Sequence, residues 1–431
     1  MSITLVEPAI APVSSTILDN GLTVIHQQTL ATSVASVDVW VKAGAVREPD
    51  EWMGVAHFLE HMIFKGSDRI QPGVFDREVE YRGGVTNAAT SYDYAHYFIT
   101  TAVQYLDETL PYLAEILLNA AIPESEFARE RDVVLEEIRQ SYDNPDCIAF
   151  QILNETVYQR HPYGRPILGT EESLLQQNPD IMRAFHRSHY QPENMTVVVV
   201  GNLSQAETLK LVEQNFTSFL SPSFCPRSLQ EAEPPITEIR RQEVCMPRLE
   251  QARLLMGWMG PGLGSPLQSL DTQLQEAYGL DLISVLLAEG RTSRLIWELR
   301  EERNLVQAIG SGFSLQRDSG LFTITAWLEP DDLERVEAII CDRLSELAAT
   351  PVTEAELERC KRLLCNDYAF STETPGQLAG LYGYYSLFTD PATVTTYPER
   401  IRAIQPDDIQ RLANQYLSPY HYAATIIRPL E

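Results

Sequence analysis

Basic residues are scarce in this chain. Its 431 residues hold 33 Lys and Arg against 60 Asp and Glu, a formal net charge of −27. A nucleic-acid binder needs basic patches, so that class is excluded. Such a charge suits basic peptides as partners, although a negative surface is most often just a soluble one. Long apolar runs are also missing. Nothing approaches the roughly 18 residues of a membrane span, so no membrane-embedded segment is expected. The opening MSITLVEPAIAPVSSTILDNG has no charged n-region and no apolar h-region, and does not read as a secretory signal. Low-complexity tracts are absent. The six cysteines (Cys147, Cys225, Cys245, Cys341, Cys360 and Cys365) form no CxxC pair and no regular framework. They read as free thiols in a reducing compartment, and the expectation is a soluble cytoplasmic protein.

What is present is a globular composition, 44% hydrophobic and 22% charged, in a chain too long for one core. Two stretches repeat in pattern. RAFHRSHYQPENMTVVVVGN (183–202) and QRLANQYLSPYHYAATIIRP (410–429) each read as a helix, a turn and a buried strand, with Tyr190 and Tyr416 in register. Between them FLSPSFCPRSLQEAEPPITE (219–238) carries four prolines and reads as a linker. The chain therefore divides into domains 1–220 and 239–431, joined by 221–238. LTVIHQQ and SVASVDVWVKAG (33–44) alternate as paired strands. AHFLEHMIF follows as a helix, YAHYFITTAV (94–103) as a strand, and two long helical patterns come next. The expected fold is α+β, with two similar domains, each a mostly antiparallel sheet packed on helices.

Histidine is rare too, eight in all, yet HFLEH (57–61) places two of them four apart. On a helix His57 and His61 project from one face, and Glu60 stands one step from His61. Two imidazoles can grip one ion while the carboxylate reaches water at an open position. The same spacing can arise on a solvated helix. Here the surrounding residues (Val55, Ala56, Phe58, Leu59, Met62, Ile63, Phe64) are apolar, so these three side chains are expected to be at least partly buried, where a metal would relieve their cost. A third ligand is needed. In ARERDVVLEEIRQ (128–140) Val133, Val134 and Ile138 are expected to face the core. Glu130 and Glu137 are two turns apart on one face, so Glu137 is the better-placed ligand, Glu136 the alternative, and Glu130 an orienter of a ligand histidine. His186 and His189 read as surface or helix-dipole residues.

HFLEHMIFKG, GGVTNAATS (83–91), ERDVVLEEI (130–138) and HPYGRPILGTEESL (161–174), with LREERNLVQ and DSGLFTITA in the second half, together resemble the pitrilysin/insulinase family of inverted-motif zinc peptidases. The nearest likeness is to its processing-peptidase branch, which includes the mitochondrial processing peptidase. The resemblance runs the length of the chain. It implies two homologous α+β domains facing each other across a cavity, Zn²⁺ held by His57, His61 and a third ligand 76 positions beyond, which is Glu137, with Glu60 as general base and Glu130 as a supporting acid. It also implies that the Asn-Ala segment, here Asn87 and Ala88, pairs with the substrate backbone as an added strand. NAATSYDYAHYF (87–98) then reads as an exposed edge strand after a Gly-Gly turn, although Asn87 could equally satisfy its own backbone. HPYGRPILG reads as a structured supporting loop.

The second half departs from the pattern. DLISVLLAEGRTS (281–293) has no histidine where the zinc motif would recur. The family's Arg and Tyr seven apart, which position substrate and stabilise the oxyanion, are here Arg300 and Gln307, and Asn304 replaces a usual glycine. In paired members one subunit carries zinc and the other the Arg–Tyr pair. The resemblance thus implies a zinc metalloendopeptidase acting on short or unfolded peptides, as the zinc-bearing subunit of a heterodimer with a zinc-less homologue; a homodimer using Gln307 is the alternative. A non-catalytic scaffold and a peptide-holding protein are the competing readings.

Overall fold

The computed structural model describes residues 12–226, 228, 231–247, 249–265 and 267–430; the first eleven residues of the N-terminal reading lie outside them. Two sheets organise the chain. The first contains β1 (Ser14–Ile17), β2 (Thr23–Gln28), β3 (Val34–Val41), β4 (Val85–Thr90), β5 (Ala95–Ala102) and β6 (Met195–Gly201), in the order β1-β2-β6-β3-β5-β4. The second contains β7 (Arg240–Met246), β8 (Ala252–Gly260), β9 (Ala308–Ser314), β10 (Gly320–Leu328) and β11 (Ala423–Pro429), in the order β7-β11-β8-β10-β9. With β1 set aside the two orders are the same. In each sheet the last strand of the half enters the middle, parallel to the first strand and antiparallel to the next.

That insertion corrects one expectation. β2 and β3 do not pair; β6 lies between them. Its sequence MTVVVVG is buried along its whole length, and a strand apolar on both faces belongs in a sheet's interior. The stretch 87–98 is likewise not one strand. It spans the end of β4, a turn at 91–94 and the start of β5, and β4 alone is the sheet's edge.

The first half adds α1 (Val55–Ile63), α2 (Val74–Tyr81), α3 (Leu106–Leu118), α4 (Glu124–Asp143), α5 (Pro145–Val157), α6 (Glu171–Gln176), α7 (Pro179–His189) and α8 (Gln205–Asn215). The second adds α9 (Leu270–Ala288), α10 (Leu333–Ala349), α11 (Glu354–Ser371), α12 (Pro375–Ser386), α13 (Tyr397–Ala403) and α14 (Pro406–Tyr416). Two of these helices cross over. α5 leaves its own half and packs on β7, β8 and β11, while α12 packs on β3 and β6. Leu153 and Val157 of α5 thereby share a core with Leu255, Ala423 and Ile427, and Leu378 and Tyr382 of α12 share one with Trp40, Val198 and Val200. The contact is close: a Cβ on Gly383 would stand 2.0 Å from Trp40 Nε1.

Residues 217–239 form no helix or strand where described, but they are anchored: Glu233 accepts the Arg160 and His161 amides at 2.7 and 3.1 Å. The two halves also meet along a polar seam. The Tyr163 hydroxyl donates to Asp93 at 2.9 Å and accepts the Asp318 amide at 3.1 Å. The Arg317 amide donates to Asp93, and His161 Nε2 lies 3.4 Å from Asp318. The HPYGRP loop and the DSG turn of the other half are therefore parts of one junction. Beside it a cavity of about 490 Å³ opens between the halves.

Candidate metal centre and active site

α1 is the element on which the site is built. Its N-terminus starts at Gly54, whose φ of 87° is a left-handed conformation that suits glycine, and Leu168 and Gly169 of the HPYGRPILG loop press against it. The first amides of a helix need acceptors. Glu48, fully buried, supplies them: its two carboxylate oxygens accept the Gly54 amide at 2.8 Å and the Ala56 amide at 2.7 Å. Burial pushes the Glu48 carboxyl up to about 8, against the pull of those two donors and of Arg165. The apolar side of α1 (Val55, Phe58, Leu59, Met62) sinks into the core under the first sheet, which fixes the direction of the remaining face.

That face carries His57, Glu60 and His61 opposite α4. His57 Nε2 lies 3.7 Å and His61 Nε2 3.5 Å from Glu137 Oε2, and one ligating atom from each of the three residues falls within 4.8 Å of the others. Edges of a tetrahedron about zinc, with bonds of about 2.0–2.1 Å, are roughly 3.4 Å long, so the two distances to Glu137 match such an arrangement. The protonation states suit it. Burial, helped by the neighbouring His61, holds the His57 imidazole down to about 4, leaving a neutral ring. Its Nδ1 is buried with no partner among the described residues, while Nε2 faces the cluster. For His61, burial acts to lower the pKa, but Glu137 and Glu130 outweigh it and the net shift is upward. The contact with His61 holds Glu137 below the usual carboxylate range. Two imidazole nitrogens and one carboxylate oxygen form a donor set that fits a zinc ion with a position left open.

Around this set, Glu130 Oε1 lies 3.2 Å from His61 Nδ1, and Lys65 Nζ lies 2.7 Å from the other Glu130 oxygen. The Thr90 hydroxyl donates to Glu60 Oε2 at 2.6 Å, leaving the second oxygen of Glu60 unclaimed. Burial raises the Glu60 pKa, and the Thr90 hydrogen bond offsets only part of the shift. Thr90 ends β4, so the free sheet edge runs directly to the cluster. Of the substrate-contact candidates, Ala88 packs partly on the core beneath. The exposed Asn87 turns its Oδ1 back to the Ala88 amide at 2.9 Å, the self-satisfying geometry.

The structure gathers His57, His61, Glu137, Glu60 and Glu130, and sets Glu136 aside, exposed and 3.6 Å from Arg139. It does not gather Arg300. That side chain lies on a π-helical segment, Ile296–Glu302, and pairs with Glu301 at 2.7 Å; among the described residues nothing joins it to the cluster. Asn304 adopts φ 51°, the conformation for which glycine is suited and which asparagine tolerates. Two expectations are corrected. Val133 is 50% exposed: Val134, Leu135 and Ile138 form the core-facing stripe, and at about 100° per residue Val133 falls on the far side of it. His186 is not at the surface: it is buried, bonded to the Leu117 carbonyl at 2.7 Å, with its pKa pushed down to about 4 by that burial. Glu48, Lys65 and Thr90 were not anticipated. Lys65 had a signal, one turn beyond His61, and Glu48 stands only six residues before Gly54; Thr90 comes close only through tertiary folding.

Known proteins agree with this picture. A profile described as insulinase (peptidase family M16) matches residues 23–171, and one described as peptidase M16 inactive domain matches 178–364. A zinc protease of Helicobacter pylori, PqqE, is 30% identical over 428 residues, covering 96% of this chain and 92% of its own. YmxG of Bacillus subtilis, named an uncharacterized zinc protease, is 28% identical over 417 residues, with 95% and 97% coverage. The crystal structure of a protease from Helicobacter pylori superposes with a TM-score of 0.89 at 29% identity, over 97% of this chain and all of that one. The structure of a peptidase M16 inactive domain from Pseudomonas fluorescens, at 19% identity and TM-score 0.87 over 97% and 98% of the two chains, shares the fold. Nearly end-to-end likeness to a named zinc protease, with a profile match on each half, makes this chain a member of the insulinase family, peptidase family M16.

Proposed function

We propose that the chain is a zinc metalloendopeptidase of short or unfolded peptides, with His57, His61 and Glu137 as metal ligands and Glu60 as general base. The observation that carries this is the convergence of the three ligating atoms beside a glutamate with one free oxygen, at the end of an unpaired sheet edge. A zinc ion held by His57, His61 and Glu137 would supply Lewis acidity, bringing a water's pKa toward ~7 and polarising the scissile carbonyl. Thr90 holds one oxygen of Glu60, so the other takes the proton of the attacking water and returns it to the leaving amine. Glu130 accepts from His61 Nδ1 and would thereby keep the Nε2 lone pair directed at the ion, while Lys65 pairs with the other oxygen of Glu130. The edge of β4 at Asn87 and Ala88 receives the peptide as an added strand. Asn87 Oδ1 then gives up the Ala88 amide to the incoming carbonyl.

The processing-peptidase likeness and the pairing belong to the same proposal. Arg300 pairs with Glu301 and Gln307 stands where a tyrosine would be, which supports a heterodimer with a zinc-less homologue that supplies the Arg–Tyr pair; a homodimer using Gln307 is the alternative. The six unpaired cysteines support a cytoplasmic setting. The same Gln307 favours a second reading, a member of the fold that holds peptides without cutting them. The deciding experiment is metal content together with peptidase activity for the wild type and Glu60→Gln. One zinc in each, with cleavage only by the wild type, supports the enzyme. Zinc without cleavage, even after a homologous subunit is added, would leave the peptide-holding reading.

A further inference from the structure

Apart from the metal cluster, the cavity between the halves is itself a built site. Its wall is aromatic: Tyr94 from the β4–β5 turn, Phe150 from α5, Phe313 at the end of β9, and Tyr384 and Tyr385 of α12. Its polar charge is of one sign. Asp93 and Asp281 line it, and no Lys, Arg or His does. The two carboxylates differ. Asp93 is satisfied by the Tyr163 hydroxyl and the Arg317 amide. The side chain of Asp281 has one hydrogen bond among the described residues, from the Tyr397 hydroxyl at 3.4 Å, longer than such bonds usually are. Burial pushes its carboxyl up to about 7, since so little in the protein compensates its charge. A carboxylate with spare acceptor capacity, inside aromatic walls, is the environment that recognises ammonium and guanidinium groups.

We propose that this cavity binds an organic cation of the alkylammonium or guanidinium type, with Asp281 as counter-ion and the rings of Phe313, Phe150 and Tyr385 around it. At about 490 Å³ it lies in the range of small-molecule sites. The proposal does not depend on peptide hydrolysis. The cation is carried either by a free amine or by a basic side chain of a bound peptide.

Calorimetric titration of the full chain with butylammonium chloride tests it, with butan-1-ol as the uncharged isostere. The expected result is saturable butylammonium binding at least 10-fold tighter than butanol. Asp281→Asn should weaken it at least 10-fold and Phe313→Leu several-fold, with both variants melting as the wild type does. Should Asp281→Asn fail to fold, Phe313→Leu and the alcohol comparison carry the test. A lysine-containing hexapeptide that displaces butylammonium, when its norleucine counterpart does not, assigns the cation to peptides; displacement by free amines alone assigns it to small molecules. No saturable heat, equal affinity for amine and alcohol, or full affinity in a folded Asp281→Asn variant would overturn the proposal.

Discussion

Glu60 on α1 and Lys65, two residues beyond the end of that helix, have opposite consequences when altered. Glu60 lies outside the three-residue ligand set, and its hydrogen bond is to Thr90. Glu60→Gln should therefore retain zinc while losing roughly 10²–10⁴ in turnover, the range for a general base; metal analysis beside a peptidase assay separates the two effects. Lys65 reaches the set only through Glu130. Lys65→Met should leave the fold intact and weaken zinc binding by about 10-fold, at the lower end of effects from residues behind a ligand. Competition with a chelator measures this, and unchanged affinity would mean that Glu130 is held without Lys65. Glu48 acts differently again. Glu48→Ala would leave the Gly54 and Ala56 amides without acceptors inside the protein, at a cost of about 1–3 kcal/mol, visible in a denaturant melt.

Among the elements, α7 and α12 offer the clearest tests. His186 on α7 is buried as a neutral ring, with a pKa near 4 in the fold against 6.5 when unfolded. A depressed value means that the folded state resists protonation. The stability it confers is complete above pH 6.5 and is lost as the pH falls toward 4, to a limit of about 3 kcal/mol. His186→Gln, whose amide can still donate to the Leu117 carbonyl, should flatten the fall in stability over that interval. On α12, Gly383→Ala drives a methyl into Trp40 and should cost about 1–3 kcal/mol by overpacking. These helices also mark what the sequence could tell. The α7–β6 and α14–β11 patterns were legible because each pairs helical spacing with a short β-branched run. HFLEH and Glu137 were legible because one helix face is a local property. That β6 would enter between β2 and β3, or that 87–98 would fold into a hairpin with one free edge, depends on partners far along the chain. The same is true of Thr90, which reaches Glu60 from a strand 30 residues away, and of Asp281, which shares a cavity with Tyr94 and Phe150 only when both halves are assembled.

At the scale of the whole molecule, the crossing of α5 and α12 governs behaviour. Each sheet has one face covered by a helix belonging to the other half. Chains cut to 12–216 and 240–430 would each expose the apolar face that the other covers, and should not form folded species alone; mixed or co-expressed, they should recover a single cooperative melt. Two independent transitions in the intact chain would contradict this coupling. The exchange has a historical corollary. A second domain without the histidine motif would ordinarily be free to decay or to be deleted. Here deletion would also remove α12 from β3 and β6 and uncover the sheet whose edge is β4. The second copy is thus held in place by architecture, while its surface chemistry is free to drift. A saturation-mutagenesis screen for peptidase activity should find the helix face around Gly383 as intolerant as the His57–His61 face of α1, and the exposed face of β7 largely indifferent.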